Sequence, residues 1–176
     1  VVKGPRVIGV IPARIGSSRL QSKPLINIHG IPTIIHTYKR AAMSKILEEL
    51  IVATDDELIY DLVESNGGRA MMTADTHRNG TERVWEVSER VEGDIFVCIF
   101  GDEPMLNPEH IEVSVRGLID SKCDASILGI EYERENSTSD VKMVLDSNSE
   151  VIYLSRLDVP YSKSGKIRSL IKAYHL

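Results

Sequence analysis

Apolar residues come along this chain in two alternating rhythms. Val7 to Ile11 is a β-branched run that reads as a buried strand, with Pro12 expected to end it because proline has no N–H for a sheet ladder. Leu25 to Ile28, before His29-Gly30, reads as a short extended piece and turn. Ile34, Ile35, Tyr38 and Ala42 recur at helical spacing from Pro32 to about Met43. Leu50 to Ala53 is a second buried strand. Leu58, Ile59, Leu62 and Val63 then form one face of a helix capped by Thr54 or Asp55 and stopped by Asn66-Gly67-Gly68. Arg69 to Met72 is a weak third strand, and Val84, Val87 and Val91 mark a helix from about Thr81 to Val91. Asp94 to Phe100 is the strongest strand pattern. Ile111, Val115, Leu118 and Ile119 mark a helix begun by Pro108, and Ala125 to Ile130 is a further strand. Val141–Leu145 and Val151–Leu154, joined by Asp146-Ser147-Asn148-Ser149, predict a hairpin.

Repeated β-α order predicts a mostly parallel sheet with helices on both faces, a three-layer α/β/α arrangement to which the hairpin adds an antiparallel portion. With 176 residues, one domain spanning 1–176 is expected. In such sheets ligands sit outside the carboxyl ends of the strands, and four segments fall there: 12–23, 54–56, 74–83 and 101–104.

Charge and cysteine content narrow the chemistry. A net charge of −5 argues against a nucleic-acid binder, which needs a surplus of phosphate-neutralising cations. No apolar run approaches membrane-spanning length, so no membrane partner is expected. Cys98 and Cys123 lack CxxC spacing and read as buried free thiols in a reducing cytoplasm. His29, His36, His110 and His175 show no metal-ligand spacing, and His77 reads as a surface histidine.

Segment 12–23 carries the most pointed chemistry. Small residues (Ala13, Gly16, Ser17, Ser18) let backbone approach a ligand, while Arg14, Arg19 and Lys23 balance anionic charge. A buried strand opening into such a loop suits a polyphosphate at a sheet edge, although neither a Walker pattern nor G-x-G-x-x-G is present. Gly101-Asp102-Glu103-Pro104 follows the strongest strand, and its carboxylates suit Mg²⁺ bound jointly with substrate phosphates. Asp102 is the better ligand, with Glu103 assisting directly or through water.

Read as V-I-P-A-R-x-x-S-S-R-L-x-x-K-P-L, the first segment resembles the opening of the cytidylyltransferases that make CMP-activated acidic sugars. The 3-deoxy-manno-octulosonate (KDO) type is the nearest pattern. G-D-E-P resembles the magnesium-binding strand end of that family. Ala74 to Arg83 resembles its A-D-H-x-S-G-T-[DE]-R loop, with Asn79 in place of the usual Ser. Val141–Asp146 through Ile152–Arg156, followed by Val159-Pro160-Tyr161, is similar to its V-K-V-V-L-D…A-L-Y-F-S-R and I-P-Y.

The resemblance, running from about Val7 to the last residue, implies a Rossmann-like nucleotidyltransferase fold, CTP as substrate, Mg²⁺ as cofactor, an acidic acceptor and a homodimer. It implies nucleotide binding by Pro12, Ala13, Arg14, Arg19, Lys23, Thr54, Asp55, Asn79, Gly80 and Arg83. Catalysis falls to Arg14, Lys23 and Asp102, with Asp102 the metal ligand. Acceptor contacts fall to Phe100, Glu103, Arg156 and His175. Two departures stand out. Phe100 replaces the Gln with which the family binds the sugar acid, so another 3-deoxy-2-keto sugar acid, or a small phosphonate, is an alternative acceptor. The chain also ends at Leu176, where family members run on into a segment that supplies a second metal ligand and much of the dimer interface. A non-catalytic nucleotide-binding subunit is therefore a further alternative.

Overall fold

The computed structural model describes residues 4–16, 22–121, 123–132, 138–159 and 170–173. The chain divides into two compact units, Val1–Asp124 and Ala125–His175.

The first unit is built on a four-stranded parallel sheet of β1 (Val7–Ala13), β4 (Glu49–Thr54), β5 (Ala70–Met72) and β6 (Ile95–Cys98), in the order β5-β4-β1-β6. A two-stranded ribbon, β2 (Asn27–Ile28) and β3 (Ile31–Pro32), turns through His29 and Gly30. Both turn residues have positive φ (49° and 86°), as a tight hairpin turn requires. The helices are α1 (Thr33–Ala41), α2 (Glu57–Ser65), α3 (Gly80–Ser88) and α4 (Pro108–Ser121). Because β1 is central, residues on both its faces are buried, which explains its near-continuous apolar run. Ile8 and Val10 on β1 join Ile51 and Ala53 on β4 against Val84 and Val87 of α3. The opposite face carries α1, packed against α4.

Pro12 does not end β1: it pairs with Ala53, and the strand runs to Ala13. β6 is in register with β1 only up to Val10↔Cys98, so beyond that point β1 has a single neighbour, the edge-like setting that proline tolerates. The α2 cap is Asp56 rather than Thr54 or Asp55. Its carboxylate accepts the N–H groups of Leu58 (2.9 Å) and Ile59 (3.2 Å), while Thr54 is occupied in the ladder.

The second unit is an antiparallel sheet of β7 (Gly129–Tyr132), β8 (Lys142–Leu145), β9 (Val151–Ser155) and β10 (Leu170–Ala173), in the order β7-β10-β8-β9. The β8–β9 hairpin is the predicted one. Asp146 Oδ1 accepts the N–H groups of Asn148 (2.8 Å) and Glu150 (2.9 Å), closing the turn. The strand expected at 125–130 begins only at Gly129, and β10 had no counterpart in the hydrophobic pattern. Lys142, 1% exposed, is held by Asp158 Oδ1 (3.2 Å) and by the carbonyls of Arg156 (2.7 Å) and Asp140 (3.2 Å).

Candidate active site

Strand order decides where a site can form. From β1 the chain moves outward to β4 and β5, then returns to place β6 on the other side of β1. This reversal opens a crevice outside the carboxyl ends of β1 and β6, at a topological switch point. The described residues after those strands, 12–16 with 22–23 and 100–104, flank the crevice.

Beyond β1 the Ser22 N–H donates to the Ile15 carbonyl at 3.1 Å. Ser22 has φ 56°, and Lys23 opens a 3₁₀ turn over Lys23–Leu25. From there Lys23 Nζ reaches Asp102 Oδ2 at 3.0 Å, across 79 positions of chain. Asp102 is set by its own loop. Thr37 Oγ1 of α1 donates to the Gly101 carbonyl at 3.1 Å, and Arg40 Nε donates to the Leu106 carbonyl at 2.8 Å. A Cβ on Gly101 would lie 3.0 Å from Ile34 Cδ1, so a glycine lets the loop lie down on α1.

A hollow of about 150 Å³ is lined by Pro12, Ala13, Arg14, His77, Asn79, Gly80, Arg83 and Phe100. Gly80 creates the close approach: a Cβ there would sit 2.9 Å from Pro12 Cγ. Asn79 caps α3, its Oδ1 accepting the Glu82 N–H at 3.0 Å. Arg78 binds the Glu82 carboxylate through its backbone N–H (2.8 Å) and Nε (2.7 Å), which lowers the Glu82 pKa. Phe100 is 41% exposed and presents its ring to the hollow.

Arg83 is only 2% exposed. It reaches Thr73 Oγ1 and pairs with Asp55 Oδ2 at 3.1 Å, tying α3 to the ends of β4 and β5. Asp55 and Arg83 are thus engaged with each other. Thr54 is fully buried, its carbonyl accepting both the N–H (2.8 Å) and Oγ1 (3.1 Å) of Thr73. These three residues brace the rim of the site.

The expected residues therefore divide by place. Pro12, Ala13, Arg14, Asn79, Gly80, Arg83 and Phe100 share one hollow, and Lys23 meets Asp102. Glu103 is half-buried in the turn after Phe100, its N–H donating to the Phe100 carbonyl at 3.2 Å. Arg156 belongs to the second unit, where its guanidinium donates to the carbonyls of Thr138 (3.2 Å) and Ser139 (3.0 Å). Arg19 and His175 lie outside the described residues. Both thiols are free, as expected, and burial pushes the Cys98 pKa up to about 11. Cys123 is exposed after α4 instead of buried.

His77 and Glu86 were not singled out as functional residues. His77 is no plain surface group: it lines the hollow and bonds through Nε2 to Glu86 at 2.5 Å. A signal was present, since Arg83 and Glu86 are charges beside the apolar stripe of Val84 and Val87, and a charge so placed needs a partner.

Asp102 offers one hard oxygen donor group, and among the described residues no group of three or more His, Cys, Asp or Glu side chains is arranged to hold a metal ion. That donor set suits a divalent ion brought in with phosphate oxygens, rather than one held by protein alone.

Fold and site together define an α/β protein with a crevice at the switch point of a parallel sheet, where such folds take their ligands. Comparison with known proteins then narrows the class: the shared pattern of the cytidylyltransferase family matches residues 8–172, and the chain belongs to that family. It is 37% identical over 174 residues to 3-deoxy-manno-octulosonate cytidylyltransferase of Escherichia coli, covering 95% of this chain and 69% of that protein. It is 40% identical over 167 residues to the mitochondrial enzyme of Arabidopsis thaliana, covering 92% of this chain and 58% of that one. A solved structure of CMP:2-keto-3-deoxy-manno-octonic acid synthetase complexed with CTP superposes with a TM-score of 0.85 at 35% identity, covering 96% of this chain and 71% of that one. This chain thus spans between 58% and 71% of the relatives it matches here.

Proposed function

We propose that this chain transfers CMP from CTP to 3-deoxy-manno-octulosonate or a closely related 3-deoxy-2-keto sugar acid, releasing pyrophosphate. The observation that carries the proposal is the meeting of Lys23 with Asp102, which joins the basic loop to the acidic strand end on one crevice. The family and its CTP-bound relative support the same reading.

In this reading Arg14 and Lys23 bind the triphosphate, and their positive charge offsets what builds up on the leaving pyrophosphate. The capped amino terminus of α3 adds backbone N–H groups and a favourable dipole for an anion nearby. Asp102 holds Mg²⁺, which when bound supplies charge stabilisation at phosphate oxygens. The acceptor's anomeric hydroxyl forms a new bond to the α-phosphorus in line, the α–β bridging P–O bond breaks, and the hydroxyl proton passes to solvent. The braced pair Arg83–Asp55 keeps the wall of the hollow in place while this occurs. Neither cysteine takes part, and a homodimer is the proposed assembly.

Pyrophosphate release with CTP, Mg²⁺ and a panel of acceptors tests the proposal. Release with a 3-deoxy-2-keto sugar acid is expected. Release only with a small phosphonate would move the acceptor to the class that Phe100 favours on the hollow's wall. Binding of CTP with no release for any acceptor would leave a nucleotide-binding subunit.

A further inference from the structure

In the transfer reading Asp102 and Lys23 have separate tasks, one toward a divalent ion and the other toward phosphate. In the structure their charges are turned on each other. Lys23 Nζ donates to Asp102 Oδ2 at 3.0 Å, and among the described residues neither side chain has a second partner. An ion pair made of the two groups meant for the ligand's opposite charges is a contact that binding must break.

The two partners are not equally movable. The loop that carries Asp102 is fixed to α1 on both sides. Fully buried Thr37 holds the Gly101 carbonyl (3.1 Å), and Arg40 Nε holds the carbonyl of fully buried Leu106 (2.8 Å). Between those points the N–H groups of Glu103 and Leu106 donate to the carbonyls of Phe100 (3.2 Å) and Glu103 (3.0 Å). Asp102 thus leaves a pinned backbone on a short side chain. Lys23 carries its charge on a flexible four-carbon stem. The side chains are 38% and 46% exposed, so water replaces either partner readily and the pair opens at small cost. The lysine moves and the carboxylate stays.

Charge balance then links the two ligands. While Lys23 lies on Asp102, a divalent ion at either carboxylate oxygen meets a like charge beside it. A triphosphate meets a lysine that is already neutralised. Each ligand alone has to open the pair and loses affinity by what the pair is worth. Arriving together they open it once, Asp102 turning to the ion and Lys23 to phosphate.

We propose that the Lys23–Asp102 ion pair is a latch that couples metal and nucleotide binding: it masks the metal ligand and the phosphate ligand from single partners and yields to both at once. Because one contact is broken for two ligands, each raises the affinity for the other by the same factor. The proposal rests on the cytidylyl-transfer reading and goes beyond it by giving the site a closed arrangement that the ligands must open.

Two binding measurements without turnover test it. In the first, Mn²⁺ is titrated in place of Mg²⁺, with no nucleotide, and followed by paramagnetic resonance. Lys23→Met keeps the stem and removes the charge. It is expected to bind Mn²⁺ about fivefold tighter than wild type, the upper worth of an exposed ion pair. That gain disappears when Asp102→Asn is added. In the second, CTP is titrated in the presence of EDTA. Asp102→Asn is expected to bind CTP about fivefold tighter than wild type, because Lys23 is released to the phosphates. In the Lys23→Met background the same change alters CTP binding by less than about twofold. Loss of a merely repelling carboxylate would raise CTP affinity equally in both backgrounds, and that result overturns the latch. Wild type binding Mn²⁺ as tightly as Lys23→Met overturns it too. Absence of CTP binding in wild type and Asp102→Asn, with Mn²⁺ or without, overturns the transfer reading itself, while the Mn²⁺ titration still decides whether Lys23 masks Asp102.

Discussion

The two ends of the parallel sheet invite comparison. At the amino end, before β1 and β6, lies the larger hollow, about 530 Å³, lined by Arg6 and by residues 88–94. Arg6 is paired there with Glu49 (3.2 Å) and Glu48 (3.9 Å), and its N–H donates to Asp94 Oδ2 at 2.7 Å. At the carboxyl end the hollow is smaller, about 150 Å³, yet residues from the ends of β1 and β6 and from the start of α3 converge on it. Room is thus a poor guide to a site in this unit. The amino-end hollow is lined, Arg6 aside, by one continuous stretch that closes α3 and leads into β6, so its charges serve the connection. The carboxyl end receives helix amino termini, where free N–H groups and the helix dipole favour anions, and it is where the order of strands reverses.

Substitutions at the two ends sharpen that contrast. The largest effect is expected for Asp102→Asn: turnover falls by at least about 10²-fold, as for loss of a group that stabilises transition-state charge. The melting temperature barely moves, because an exposed ion pair is worth only ~0–1 kcal/mol. Unchanged Mg²⁺-dependent turnover would take Asp102 out of the mechanism. Gly80→Ala comes next. The new methyl meets the Pro12 ring, so a loss of about 1–3 kcal/mol in urea unfolding is expected, together with weaker CTP binding as the wall of the hollow shifts. Arg6→Ala should be the mildest: at most about 1 kcal/mol of stability, with turnover as in wild type. Turnover that dropped with Arg6→Ala and not with Asp102→Asn would reverse the comparison.

What was legible in the chain followed from local periodicity and local turn chemistry. The run Val7–Ile11 marks a strand buried on both faces, Asp146–Ser149 a hairpin turn, and Val84 with Val87 a helix, because each depends on residues a few positions apart. Where neighbours distant in sequence decide, local reading failed. Pro12 continues its strand because β6 has already left the ladder, and β10 exists because β7 and β8 flank it.

The residue types at the site could likewise be read from sequence, since small residues with cations suit phosphates and a strand-end carboxylate suits a hard cation. Their roles could not. Arg83, a nucleotide contact by the family resemblance, also ties α3 to Thr73 and Asp55 in the fold, partners that no local pattern supplies. His77 looks like a surface group and is locked by a carboxylate one helix away. The chain by itself thus determined which chemistry was available and roughly where each strand or helix lay. Only tertiary structure decided which charges meet across 79 positions, because a Coulomb pair or a shared proton depends on distance in space, and that distance is set by strand order.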